Sequence, residues 1–234
     1  MTSGELIYEG KAKKVFHSDE PGVVIVEFKD DATAFNGEKK GQITDKGIAN
    51  AAISARLFQV LESQGIATHF RKQLDARHLV VDWLEMVPLE VVVRNRVAGS
   101  LEKRIGLKEG TVLEQPVVEL YFKNDQLGDP LLNDDHIRVL GLADPDVLHQ
   151  LRTQSGTANA ILQNFFGQRD LILVDFKLEF GLRHGQLVLG DEISPDTCRL
   201  WDGKTLKKLD KDRFRRDLGG VEDAYHEVLE RVLS

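Results

Sequence analysis

"LILVDFKLEFG", Leu171 to Gly181, is apolar enough for a buried strand, yet Asp175, Lys177 and Glu179 interrupt it at every second position. Side chains alternate across a strand, so the three charged groups share one face while Val174, Phe176, Leu178 and Phe180 cover the other. After "LRHG" comes "QLVLGDEIS", a second apolar run that pairs with the first as a hairpin. With the turn centred near Gly185, Glu179 is expected opposite Asp191. Two carboxylates facing across strands repel each other. A divalent cation removes that penalty, and oxygen-only ligands favour Mg2+ held partly by substrate phosphates. Lys177, between the acids, can reach a transferring phosphoryl group. The pattern also fits an amphipathic strand with a solvated, salt-bridged face, but the apolar runs on both sides argue for a central hairpin.

Upstream, the chain reads as a small twisted sheet: Leu6 to Tyr8, Ala12 to Phe16, "VVIVEF" (Val23 to Phe28), "THFRKQL" and "HLVVDWLE". A helix from about Thr44 to Ser63 interrupts it, with Thr44 or Asp45 as cap, an apolar stripe of Ile48, Ala52, Ala55, Phe58 and Leu61, and Gly65 at its end. The polar segment "KDDATAFNGEKKGQ" before that helix is a candidate mobile loop. Pro88 breaks the pattern in "EMVPLEVVVRNR", which places a lobe boundary near Val87. The second region holds strand Leu89 to Arg94, the helical "VAGSLEKRIG", strand "PVVELYFK", and a long helix from about Pro145 to Phe166 capped by Asp144. The hairpin follows, then two terminal helices around "DKDRFRRDL" and "VEDAYHEVLERVL". Segregated sheets and helices argue an α+β protein in two lobes, 1–87 and 88–234, with a cleft between them.

Composition bounds the function. The chain has 234 residues, 41% hydrophobic and 29% charged, which suits a globular protein with a sizeable core. A formal charge of -7 argues against nucleic-acid binding, which draws on Lys and Arg neutralising phosphates. No apolar run approaches the roughly 20 residues needed to span a bilayer, and "MTSGELIYEG" lacks the apolar core of a signal peptide, so a cytoplasmic location is expected. Cys198 is the only cysteine, which excludes an intrachain disulfide and leaves a buried structural thiol as its expected role. The histidines lack metal-ligand spacing, and His69 and His78 read as strand-surface or packing residues.

Three further stretches carry chemistry. In "YEGKAKKVF", Lys11 and Lys13 share one side of an extended segment, which suits an elongated polyphosphate or, equally, a solvated edge strand. In "VVVRNRVAGSLEKRIG", Arg94 and Arg96 precede Gly99 and Ser100 at a helix start. Guanidinium, hydroxyl and helix-start N–H groups together make a phosphate-monoester site. A surface strand running into a charged helix is the competing reading. "DEISPDTCRLWD" carries Asp196 and Arg199 into a turn, where Arg199 can join Arg94 at an anion.

In this order, "YEGKAKKVF", "MVPLEVVVRNRVAGSL", "YFKNDQLGDPLLND", "LILVDFKLEFG", "LGDEISPDTCRLWD" and "DKDRFRRDLGG" resemble the SAICAR synthetases of de novo purine synthesis over nearly the whole chain. The resemblance implies a kinase-like N-terminal lobe of antiparallel sheet and an ATP-grasp-like C-terminal lobe. It implies an enzyme that joins the carboxylate of carboxyaminoimidazole ribonucleotide (CAIR) to the amine of L-aspartate, using ATP and Mg2+. Position by position, it implies that Lys11, Lys13 and Lys123 contact the nucleotide, that Val15 and Met86 border the adenine, and that Glu179 and Asp191 ligate Mg2+. Arg94, Ser100 and Arg199 are implied to hold the ribonucleotide phosphate, with Arg215 on the substrate side and Asp175 and Lys177 near the reacting carboxylate or the ribose. The family exists as homodimers and monomers. "SPDTCR" departs from the frequent "SPDGSR" at Thr197 and Cys198 only.

A carboxylate does not accept an amine until it has a leaving group, so phosphorylation to an acyl phosphate is implied, with catalysis by positioning and charge neutralisation. An acyl phosphate hydrolyses readily, and the loop from Lys29 to Gln42 is expected to close over the site. A kinase-like phosphotransferase is the rival enzyme reading; it requires no aspartate. A nucleotide-binding regulatory module is the rival of another class; it releases no phosphate.

Overall fold

The computed structural model describes residues 4–34 and 38–234. The chain opens with strands β1 (Leu6–Glu9), β2 (Lys13–His17) and β3 (Val23–Phe28), a ribbon of β4 (Asp31–Ala34) and β5 (Lys39–Gln42), helix α1 (Lys46–Ser63), and strands β6 (Phe70–Gln73) and β7 (His78–Asp82). It continues through β8 (Glu85–Arg96), α2 (Ser100–Ile105), β9 (Val112–Phe122), β10 (Leu131–Leu132), α3 (Asp134–Leu140) and α4 (Pro145–Gly167). β11 (Leu171–Arg183), β12 (Gln186–Gly190), β13 (Cys198–Asp202), α5 (Asp212–Arg215) and α6 (Val221–Leu233) complete it. The result is a mixed α/β architecture built on antiparallel sheets. One five-stranded sheet has the order β1-β2-β3-β7-β6, and a six-stranded sheet runs β10-β9-β8-β11-β12 with β13 also on β11. One apolar core runs through Phe28, Phe58, Val91, Leu162, Phe176 and Tyr225, joining both sheets to α1, α4 and α6. No helix among the described residues is long and apolar enough to cross a membrane.

β11 is the central strand. Its first half pairs with β13, its second half with β12, and its other edge with β8. The expected face alternation holds with one exception. The ladder to β13 is irregular between Leu173 and Asp175, and Val174 packs with Ala98 and Trp201 instead of joining Phe176, Leu178 and Phe180. A bulge of this kind shifts a side chain off its regular face. The expected hairpin register is off by one: Arg183 pairs with Gln186, so the turn is the two residues His184 and Gly185, both at positive φ, and Glu179 faces Gly190. Asp191 follows at φ 60, beyond the end of β12.

Other expectations are corrected by context. α1 is capped from outside: Asp45 makes no side-chain cap, and Asp30 accepts from the Gly47 N–H at 2.9 Å. Its buried surface is wider than the expected stripe, taking in Ile53 and Leu57 while Ile48 and Ala52 are half-buried, because α1 packs against β6 on one side and α6 on another. Asp144 caps α4 as expected, accepting from Val147 N–H at 2.8 Å. Pro88 does not break β8; the β8–β11 ladder is irregular at that point and accommodates the missing N–H. Residues 198–202 are a strand, not a turn, and α3 was not foreseen. The segment expected as a loop forms the β4–β5 ribbon, with Lys39 donating to Phe214 O at 2.6 Å. The tip of that segment, Phe35 to Gly37, lies outside the described residues.

Candidate active site

β2, β3 and β7 of one sheet and β8 and β11 of the other line a single cavity of about 1720 Å³. Of the site residues named from the sequence, Lys11, Lys13, Val15, Met86, Arg94, Ser100, Lys123, Asp175, Lys177, Glu179, Asp191, Arg199 and Arg215 border it, whereas Arg96 faces a separate, smaller cavity beside β9. The β8–β11–β12 ladders bring two kinds of charge into it, at two ends.

At the first end, Glu179 of β11 lies directly across from Glu90 of β8, not from Asp191. This pair carries the cross-strand repulsion expected of facing carboxylates. Lys177 relieves it, contacting Glu179 and donating to Glu90 at 3.0 Å, with Asp191 at 4.0 Å. Lys123, just past β9, contacts the other oxygen of Glu179. Lys13 contacts Asp191 and reaches Glu192 at 3.0 Å. Three ammoniums thus meet four carboxylates, leaving this end net negative. Burial alone raises the Asp191 carboxyl, but Lys13 and Lys177 hold it well below its ordinary range. Burial works against the Lys177 ammonium, and Glu179, Asp191 and Glu90 hold its pKa well above the ordinary value. Burial and the adjacent Glu179 push Glu90 up.

Among the described residues no group of three or more His, Cys, Asp or Glu forms a ready-made metal cage. Two nearby oxygen ligands whose present partners are cations nonetheless fit Mg2+, an ion that takes one or two carboxylates and completes its shell with phosphate and water. The ammoniums on Glu179 and Asp191 mark where a positive charge is favoured.

The second end is built on Asp175. Its carboxylate accepts from Arg94 Nη1 at 2.7 Å and from Arg199 Nη1 at 2.8 Å. Arg94 is buried, with Nε donating to Glu119 at 2.8 Å and Nη2 to the Ser100 hydroxyl at 3.1 Å. Arg199 also donates from Nε to Asp212 at 3.0 Å, and Arg215 donates to the same carboxylate at 2.7 Å. Burial pushes Asp212 up, yet Arg199 and Arg215 bring it down to about 2. Gly99 precedes Ser100 at φ 58, ψ -127, a backbone region open to glycine. Asp175 and Lys177 therefore serve different ends: Lys177 contacts the carboxylates of the first, and Asp175 clamps the two arginines of the second.

The remaining expected residues sit at the rim or the apolar wall. Lys11 is half-exposed, pairing with Asp125 at 3.1 Å, and stands apart from Lys13. Val15 and Met86 line the cavity beside Val24, Val81 and Leu84. Sequence reasoning passed over Glu90, Glu192 and Asp212, and read His69 as a strand-surface or packing residue. The first two stand within two residues of the charged face or its partner strand, a signal that register alone would have raised. His69 is buried against the ring edge of Phe58 and lines the cavity, its Nδ1 without a partner among the described residues. Burial holds its imidazole neutral, with a pKa of about 4. Cys198 is a buried free thiol whose pKa burial pushes up, as suits a structural role.

The SAICAR synthetase family matches residues 6–232 of the chain. A phosphoribosylaminoimidazole-succinocarboxamide synthase of Desulfitobacterium hafniense is 58% identical over 232 residues, 99% of this chain and 98% of the relative. The crystal structure of the synthase from Ehrlichia chaffeensis superposes with a TM-score of 0.95 at 45% identity, over 97% of this chain and 98% of that one. A SAICAR synthetase in complex with ADP gives a TM-score of 0.94 at 51% identity, over 97% of each chain.

Proposed function

The chain belongs to the SAICAR synthetase family, and from that premise we propose how its cavity works. The enzyme is an ATP-dependent carbon–nitrogen ligase of purine (IMP) biosynthesis that joins L-aspartate to the carboxylate of CAIR, giving SAICAR, ADP and phosphate. The observation that carries the assignment of ends is the charge division of the cavity: a carboxylate-and-lysine end and an arginine end, both on β11, in one space large enough for a nucleotide and a ribonucleotide. ATP occupies the first end, its adenine between Val15 and Met86 and its phosphates toward Lys13, Lys11 and Lys123. The ribonucleotide phosphate lies at Arg94, Ser100, Arg199 and Arg215. The lobes are 1–87, kinase-like and nucleotide-binding, and 88–234, ATP-grasp-like and carrying the substrate and metal sites. The change of sheet supports a boundary a few residues earlier than 87: the last strand of the five-stranded sheet ends at Asp82, and β8 of the six-stranded sheet begins at Glu85 and runs on through Val87.

Glu179 and Asp191 would hold Mg2+, which neutralises phosphate charge when bound. The chain supplies the rest by positioning. A CAIR carboxylate oxygen attacks the γ-phosphorus and the bond to the β–γ bridging oxygen breaks, releasing ADP and leaving an acyl phosphate. Lys177, held among its carboxylate partners beside the cavity, turns onto the transferring phosphoryl oxygens and offsets their charge. The aspartate nitrogen then attacks the acyl carbon, the carbon–oxygen bond to phosphate breaks, and the amine loses a proton. Phosphate release with ATP, Mg2+ and CAIR tests the proposal: release and a new amide are expected only with L-aspartate present. Release independent of aspartate, or no amide, would sink it.

A further inference from the structure

Beneath the arginine end lies a trio that the assignments above leave without a role. Lys46, on the first turn of α1, is fully enclosed and donates to Asp196 Oδ2 at 2.8 Å. The Tyr225 hydroxyl of α6 donates to Asp196 Oδ1 at 2.6 Å, and Lys211 reaches Oδ2 at 3.4 Å. One carboxylate therefore faces two largely buried ammoniums, whereas at the first end carboxylates outnumber ammoniums. Burial depresses Lys211; Asp196 draws it back up, Arg215 and Lys46 push it down again, and Glu192 across the cavity wall pulls the other way. Burial works against the Asp196 anion, but Lys211 and Lys46 keep it charged. The floor of the trio is polar and unsatisfied. Asn50, one turn beyond Lys46, has both amide atoms buried without a partner among the described residues. Ser54, a further turn on, donates to Ile193 O, so this face of α1 lies under residues 193–196.

Lys211, Asp196 and Thr197 line the cavity. The Thr197 carbonyl accepts from Lys177 N–H at 2.9 Å, which sets this segment beside the junction of the two ends. A nucleophile attacking the activated carboxylate has to arrive there. The triphosphate and the ribonucleotide phosphate already have their cations; the amino acid's carboxylates do not. Resting on the functional reading above, we infer that Lys211, which faces the cavity on one long ion pair above Lys46, Asp196 and Tyr225, seats a carboxylate of the amino-acid substrate. A compact ammonium held by one long ion pair is free to turn to an incoming carboxylate, and Asp196 remains paired with Lys46 when it does.

Steady-state kinetics of the full chain with each substrate varied in turn provide the test. Lys211→Met keeps the alkyl stem and removes the charge; it is expected to raise the KM for L-aspartate by about tenfold to a hundredfold, as for loss of a charged hydrogen bond, leaving the KM values for Mg-ATP and CAIR in place. Lys211→Arg is expected to restore part of the loss. An unmoved aspartate KM, or a rise confined to CAIR or ATP, overturns the inference. If the Met variant does not fold, the Arg variant decides alone, because a displaced charge is expected to move the aspartate KM and no other. Wild-type enzyme without aspartate-dependent phosphate release would remove the functional reading itself; wild-type activity with an unmoved aspartate KM removes only the seat at Lys211.

Discussion

Replacing Gly99 by alanine tests the arginine end most directly. Gly99 holds φ 58, ψ -127, where an L side chain is strained by about 1–3 kcal/mol. A Cβ built there also falls 2.8 Å from Arg199 Cζ, far inside contact distance. Elsewhere a long side chain would swing away. Here the guanidinium is tied to Asp175 at 2.8 Å and to Asp212 at 3.0 Å, so moving it breaks charged hydrogen bonds of about 1.5–3 kcal/mol each. With strain and one broken bond, Gly99→Ala is expected to cost about 3–6 kcal/mol, a large share of a typical domain's stability. Urea unfolding measures that loss, and the KM for CAIR is expected to rise because Arg199 no longer meets the phosphate. A double-mutant cycle separates the parts. In Gly99→Ala with Arg199→Ala the clash disappears, and the combined cost should fall below the sum of the single costs by about the energy of the broken bonds. Strict additivity, or wild-type stability and CAIR KM in Gly99→Ala, would refute the reasoning.

Glu179→Ala and Asp191→Ala are each expected to impair use of Mg-ATP far more than folding, since Lys177 keeps Glu90 and Lys13 keeps Glu192; a collapse of thermal stability in both would return this face to a structural role. Burial and the neighbouring Asp212 raise the Asp210 carboxyl from 3.8 to about 7. The native state therefore keeps a proton that the unfolded chain has released, and stability is expected to fall as pH rises from about 4 to about 7, by at most ~4 kcal/mol, with no further change from this group above that. Asp210→Asn should flatten that slope in pH-dependent unfolding, and an unaltered profile would refute the assignment.

Local pattern carried much of this protein. The strand character of 171–181, the sharing of one face by Asp175, Lys177 and Glu179, and the capped start of α4 all follow from periods and residue types within a few positions. Errors gathered where one residue of register matters. The hairpin turn lies half a residue from the expected centre, which moves Asp191 from opposite Glu179 to one place beyond, and puts Glu90 in the facing position. The bulge at Leu173 and Asp175 has no signature in composition, and α1 is buried more widely than one stripe because helices as well as strands cover it.

By itself, the sequence determined that β11 would show acid, base and acid on one face of a central strand, and its motifs carried the resemblance to a ligase family. Only the tertiary structure decided which charge meets which. Lys177 answers Glu90 and Glu179, Asp175 answers Arg94 and Arg199, and Lys46 meets Asp196 across 150 positions of chain. The reason is physical: alternation is set by the local backbone, whereas a buried ion pair exists only where packing brings separate segments within bonding distance and excludes the water that would otherwise solvate each partner.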